Sequence, residues 1–194
     1  MAVFPREDRE AGFTLIELLV YISLLGVVLG VVGGILIAGL NGQKTVRTLN
    51  DASNVSQVVT KSLTAGIRNA SGLKVGTASA AGQLLQARVA SLTAAGATTW
   101  RCQAWYFSKS TSSLYMASSP SGAVAAPTSS FANWTLIARG VTVPAGVAAP
   151  FTGASASVSV DLSVASASGK TVRTALTISK RAQSDLTTGP ATCF

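Results

Sequence analysis

Glu17 is the one charged side chain in the 28-residue run FTLIELLVYISLLGVVLGVVGGILIAGL, residues 13–40. A carboxylate inside an apolar span costs about 2.5–3.5 kcal/mol even on insertion scales, so its presence there demands a partner. A cut between Gly12 and Phe13 would supply one. It would create a new ammonium at Phe13, and Glu17 lies four residues on, one helical turn along the same face. The carboxylate could then neutralise its own N-terminus or that of a neighbouring subunit one step along a stack. In the second case the charge becomes a register device that penalises misaligned packing.

Little else in the chain could do chemistry. There is no histidine, which removes histidine-dependent triads, His-ligated zinc and the commonest general base. The acids are Glu7, Asp8, Glu10, Glu17, Asp51, Asp161 and Asp185, and nothing in their spacing brings them together. The neighbours Ser108-Lys109 and Ser179-Lys180 do not amount to a catalytic dyad. The inventory therefore points to a protein that is not an enzyme, with no cofactor and no metal. The two cysteines, Cys102 and Cys193, are expected to form one disulfide if the domain is exported, the alternative being two buried thiols.

The apolar run would be about 42 Å long as a helix, against roughly 30 Å of bilayer hydrocarbon. It reads as a membrane span. A secretory signal peptide has a shorter apolar core and a cleavage site after it. A plain signal anchor fits the length but leaves Glu17 unexplained.

The residues Gly12-Phe13-Thr14-Leu15-Ile16-Glu17-Leu18-Leu19-Val20 resemble the signal of prepilins and pseudopilins, with glycine before the cut, phenylalanine after it and glutamate four further on. The close resemblance covers about residues 9–40. It implies cleavage between Gly12 and Phe13 by a prepilin peptidase, methylation of the Phe13 amine, and a part for Thr14 and Glu17 in assembly. It also implies a head outside the cytoplasm. Two departures stand out. The leader is not net basic, since Glu7, Asp8 and Glu10 offset Arg6 and Arg9, and Lys44 and Arg47 follow the span. The apolar helix has no proline, only Gly33-Gly34 where many pilins have one.

Gly26, Gly30 and Gly34 recur every four residues on one helical face, a spacing that suits close helix packing. Ordinary glycine enrichment in membrane helices gives the same pattern. Beyond the span, Val46, Leu49, Ala52, Val55, Val59, Leu63, Ile67 and Ala70 recur at helical intervals, with Lys44, Asn50, Asp51, Asn54, Gln57 and Lys61 between them. This predicts an amphipathic continuation that stops at Ser71-Gly72. Strands are expected at 84–92, 99–107, 113–117, 134–143, 157–164 and 171–179, the last two as a hairpin. Trp100, Cys102, Trp105, Tyr106 and Phe107 crowd one strand, as core or as a ligand-stacking platform. Residues 108–130, rich in Ser, Ala and Pro, read as an exposed loop.

These readings combine into an α+β, pilin-like fold. Residues 1–12 are a leader, 13–40 a membrane or filament-core helix, 41–72 its amphipathic continuation, and 73–194 a head whose antiparallel β-sheet packs on the helix. The resemblance implies a structural, minor subunit of a type IV pilus or type II secretion-like pseudopilus. Its partners would be a prepilin peptidase, sister pilin subunits, membrane lipid and an inner-membrane assembly platform. The formal charge is +8; losing residues 1–12 leaves 13 basic and four acidic side chains, or +9. That balance keeps DNA open as a partner, in a competence-type pilin. A membrane-anchored adhesion protein that never polymerises is the other alternative.

Overall fold

The amphipathic stripe that begins near residue 46 needs a cover, and the chain beyond it supplies one in two sheets. The computed structural model describes residues 14–92, 96, 98–120, 122–128, 130–167, 169–181 and 193–194. Its helix α1 runs over Leu15–Arg68, 54 residues. The chain divides into two compact units, residues 1–46 and 47–194, and α1 contributes to both.

In the first unit the large apolar side chains of α1, from Leu15 to Leu40, are exposed. Among the described residues α1 is the one helix long and apolar enough to cross a membrane, and none of its apolar window is buried within the protein.

In the second unit α1 buries Ala52, Ser56, Val59, Leu63, Gly66 and Ile67, one face of the helix. Lys44, Asn50, Asp51, Asn54, Gln57 and Lys61 are exposed, as the periodicity predicts. Val46, assigned to the apolar stripe, is exposed instead. The helix also ends earlier than Ser71-Gly72. It stops at Arg68, and both residues lie in a strand that the periodicity does not predict, β1 (Ala70–Val75). Arg88 accounts for the change, because its Nε donates to Ser71 Oγ (2.6 Å) and its carbonyl accepts from the same hydroxyl.

Strands β1, β2 (Gly82–Leu92), β3 (Thr98–Ser108), β4 (Ser113–Ser119) and β5 (Thr135–Arg139) form an antiparallel meander in sequence order. A second sheet is centred on β8 (Ser157–Ala165). It is flanked on one side by β6 (Val141–Thr142) and β7 (Phe151–Ala154), and on the other by β9 (Thr171–Ser179). β8 and β9 form the expected hairpin, pairing Ser157 with Ser179 through Ala165 with Thr171.

The expected single strand 134–143 is divided between the sheets. Gly140 adopts φ of +67°, a left-handed conformation that favours glycine, so Arg139 ends the first sheet and Val141 starts the second. Gln83 ties the sheets together. Its Nε2 donates to the carbonyls of Gly76 and Phe151 (both 2.8 Å), and its Oε1 accepts from the Phe151 N–H (2.9 Å). In this way a buried side chain does the work of a strand neighbour.

One core joins the layers. Val59, Leu63 and Ile67 of α1 meet Leu85, Trp105, Phe107 and Leu114 from the first sheet and Phe151, Val158, Val160 and Leu162 from the second. Fully burying side chains of this size contributes about 1.5–3 kcal/mol each. Trp105 is completely buried, and its Nε1–H donates to Ser62 Oγ on α1 (3.0 Å). Its ring lies so close to the helix that a Cβ at Gly66 would fall 2.1 Å from it.

Gly66→Ala is therefore expected to destabilise the head. Alanine gains up to about 1 kcal/mol in helix propensity, but overpacking a rigid core costs about 1–3 kcal/mol and an approach this short sits at the upper end. Denaturant unfolding of the detergent-solubilised protein checks the sign, and a gain in stability would refute the tight seating.

Candidate functional site

Thr14 starts the helix in a way that the cleavage motif alone does not reveal. Its Oγ1 accepts from the Glu17 N–H (3.3 Å) and its carbonyl accepts from the Leu18 N–H (3.2 Å). Thr14 is thus the residue that caps α1, and Glu17 sits three positions in, among the unsatisfied N–H groups of the first turn. Thr-x-x-Glu before an apolar run is the spacing of a capping box, in which the carboxylate favours the positive end of the helix dipole. That signal is present in the sequence, and it gives Thr14 a mechanism that the resemblance to prepilins does not supply. Gly12 and Phe13, the expected cleavage and methylation residues, and the leader before them lie outside the described residues.

Gly26, Gly30 and Gly34 fall within α1, and a Cβ added at any of them would meet nothing within 4 Å. Among the described residues no packing requires glycine there. The ridge is open to another helix or to lipid.

Cys102 and Cys193 are bridged, with Cα atoms 5.2 Å apart and both residues buried. The bond holds the end of the chain against the face of the first sheet that points away from α1. There the Cys193 carbonyl accepts from Gln86 Nε2 (3.4 Å), and the Phe194 ring sits against Gly72.

The aromatic cluster separates by strand alternation. Trp105 and Phe107 enter the helix-facing core, whereas Trp100, Cys102 and Tyr106 face the other way. All five are buried, so they are core rather than a stacking platform. Burial pushes the Tyr106 hydroxyl above its ordinary pKa. The strand expected at 113–117 is β4, where Ser113, Leu114 and Ala117 are buried, so the exposed loop read over 108–130 holds only outside it. The strand forms by pairing with β3, which sets Leu114 opposite Phe107 and Ala117 opposite Ala104. After β4, Phe131 stacks on Tyr115 with ring centroids 4.1 Å apart, and Trp134 leans on Tyr106 at 6.0 Å.

Among the described residues no three His, Cys, Asp or Glu side chains converge as a metal site. Asp161 pairs with Arg173 through two hydrogen bonds (2.6 and 2.9 Å), which hold its carboxyl below the usual carboxylate range.

Comparison with known families adds one decisive observation. Residues 8–33 match the family model described as the prokaryotic N-terminal methylation motif. The chain carries a prepilin-type methylation motif. The match brackets Gly12, Phe13, Thr14, Glu17, Gly26 and Gly30 and ends one residue before Gly34. No curated protein and no solved structure shows significant similarity to the chain. The motif, set at the start of a long apolar helix that antiparallel sheets follow, supports a type IV pilin-like subunit.

Reducing the disulfide, or replacing Cys193 with serine, is expected to lower stability by about 4–5 kcal/mol if the chain-entropy model holds for its long loop. Urea unfolding of the solubilised protein with and without reductant measures this, and coincident curves would show that the bridge is dispensable.

Proposed function

We propose that the chain is a minor subunit of a type IV pilus or a type II secretion-like pseudopilus. It is made as a precursor with residues 1–12 as leader. A prepilin peptidase cuts between Gly12 and Phe13 and the Phe13 amine is methylated. Residues 13–40 hold the subunit in the cytoplasmic membrane, with the head outside the cytoplasm. An assembly platform then moves the helix from lipid into a filament of sister subunits. The observation that carries this reading is the methylation motif spanning the start of an exposed apolar helix.

Each assigned residue has a physical task in this scheme. Thr14 fixes the first turn. Glu17 compensates the ammonium of Phe13, on its own chain or on a neighbour, and so rewards one axial register. Gly26, Gly30 and Gly34 let a second helix approach closely, and the bare space around them supports that use. Contacts between neighbouring helices offset the loss of lipid when the apolar surface leaves the membrane.

The decisive measurement is the N-terminal sequence and intact mass of the protein recovered from membranes, with and without a prepilin peptidase. A peptidase-dependent start at Phe13 carrying one added methyl group is expected; a Met1 start in both samples would remove the filament reading. Glu17→Ala is expected to leave the head folded and to cut filament incorporation sharply. Undiminished incorporation would show that Glu17 does not set register, and function without any filament would favour a monomeric anchor.

A further inference from the structure

The chain holds five asparagines, Asn41, Asn50, Asn54, Asn69 and Asn133, and the last three are each followed two residues on by serine or threonine. Asn-x-Ser/Thr is the acceptor sequence for N-linked glycans. A transferase can use it only where it can grip both the asparagine amide and the hydroxyl, which requires an exposed turn or loop. In a chain this rich in serine and threonine the triplet alone decides nothing. The fold separates the three copies.

Asn54 lies inside α1, and the hydroxyl of its triplet, Ser56, is buried and hydrogen-bonded to Thr174. Asn69 leads into β1, where Ala70 is fully buried and Ser71 Oγ is held by Arg88. Asn133 differs on each count. It sits in a turn closed by the Trp134 N–H, which donates to the Phe131 carbonyl (2.9 Å). Asn133 and Thr135 are both exposed, and neither side chain is hydrogen-bonded among the described residues. Both ends of the turn are anchored, Phe131 on Tyr115 and Trp134 on Tyr106, two tyrosines that pair across β3 and β4. The turn is therefore a fixed platform that presents a free amide with a free hydroxyl two residues on.

We propose that Asn133 is the acceptor of an N-linked glycan, transferred from an oligosaccharide carried on a polyprenyl pyrophosphate. The Asn133 amide nitrogen bonds to C1 of the first sugar, and the bond from C1 to the pyrophosphate oxygen breaks. The lipid pyrophosphate leaves with that electron pair, and the transferase takes up the amide proton. Thr135 supplies the hydroxyl by which the transferase recognises the triplet. Phe131, two residues before Asn133, is half-buried. The open part of its ring suits the C–H face of the first sugar, because an aromatic face carries partial negative charge. The position also gives the glycan a task. β5 is the last strand of the first sheet, and its Leu136 is 38% exposed. An unpaired edge is a template for pairing with another chain, and a bulky hydrated group just before the strand hinders that approach. The inference rests on the proposed placement of the head outside the cytoplasm, the side of the membrane on which such transferases act.

The test is peptide mass spectrometry of the protein recovered from its own membranes, with electron-transfer fragmentation to locate the modification and N-terminal sequencing of the same sample. A sugar mass on Asn133 is expected. It should be lost in Asn133→Gln and in Thr135→Val and kept in Thr135→Ser, while the urea unfolding midpoints of the unglycosylated variants agree with one another. Unmodified Asn133 would overturn the inference, and if that protein starts at Phe13 the filament reading stands without it. A glycan that persists in Asn133→Gln would overturn it as well, by placing the sugar on a hydroxyl. A glycan on Asn133 of a protein that starts at Met1 would uphold the inference and remove the filament reading instead.

Discussion

The approach of Trp105 to Gly66 sets the geometry on which the head depends. A tryptophan ring can lie against a helix backbone at this distance only where the helix carries no side chain, and Gly66 is that gap. The indole N–H then reaches Ser62 one turn away, and Ser62 Oγ in turn donates to Met116 Sδ on β4 (3.7 Å). These interactions pin the centre of the first sheet to the helix. The second sheet reaches the same helix through the hydrogen-bonded hydroxyls of Ser56 and Thr174. Gln83 and the turn at Gly140 connect the two sheets along their shared border. The stripe of α1 is thus covered by residues from both sheets.

That cover explains why one helix supports two different surfaces. From Ala52 onward the apolar residues are spaced for one buried face, and polar residues complete the cylinder. From Leu15 to Leu40 they encircle it, and they are exposed among the described residues. An apolar helix exposed all round is unstable in water but suited to lipid or to a bundle of similar helices. Both environments ask for the same thing, an uncharged cylinder with satisfied backbone. On the proposed pathway this lets the segment move from one to the other without refolding.

Much of this was legible because the signals were periodic. The strict alternation Val158, Val160, Leu162, Val164 gives β8 and its inward face, and the hairpin to β9 follows from the Ser/Gly turn between them. The inner face of α1 was visible at Ala52, Val59, Leu63 and Ile67, but not at Ser56 or Gly66. Their small side chains mean nothing until Thr174 and Trp105, more than 35 residues away in sequence, are placed against them. β1 was hidden for the same reason, since ASGLKV has weak strand propensity and becomes a strand by pairing with β2. The division of 134–143 turned on one backbone angle at Gly140. Of the candidate site, the methylation motif around Glu17 was readable because its signal is local.

On the proposed pathway one carboxylate, Glu17, would serve two stages. While the helix stands in lipid, a lone charge near its start is costly, and placement in the first turn moderates that cost because the surrounding N–H groups lack helical partners. Thr14 takes the N–H of Glu17 itself, leaving the carboxylate near the remaining donors and the positive end of the dipole. If processing frees the amine of Phe13, a full positive charge arrives one turn away. The same carboxylate then has a stronger partner, and the gain is larger where water is excluded. Local capping therefore does not compete with a role in assembly. On the proposed pathway it would keep the charge tolerable until a better partner comes within reach, on the same chain or on the next.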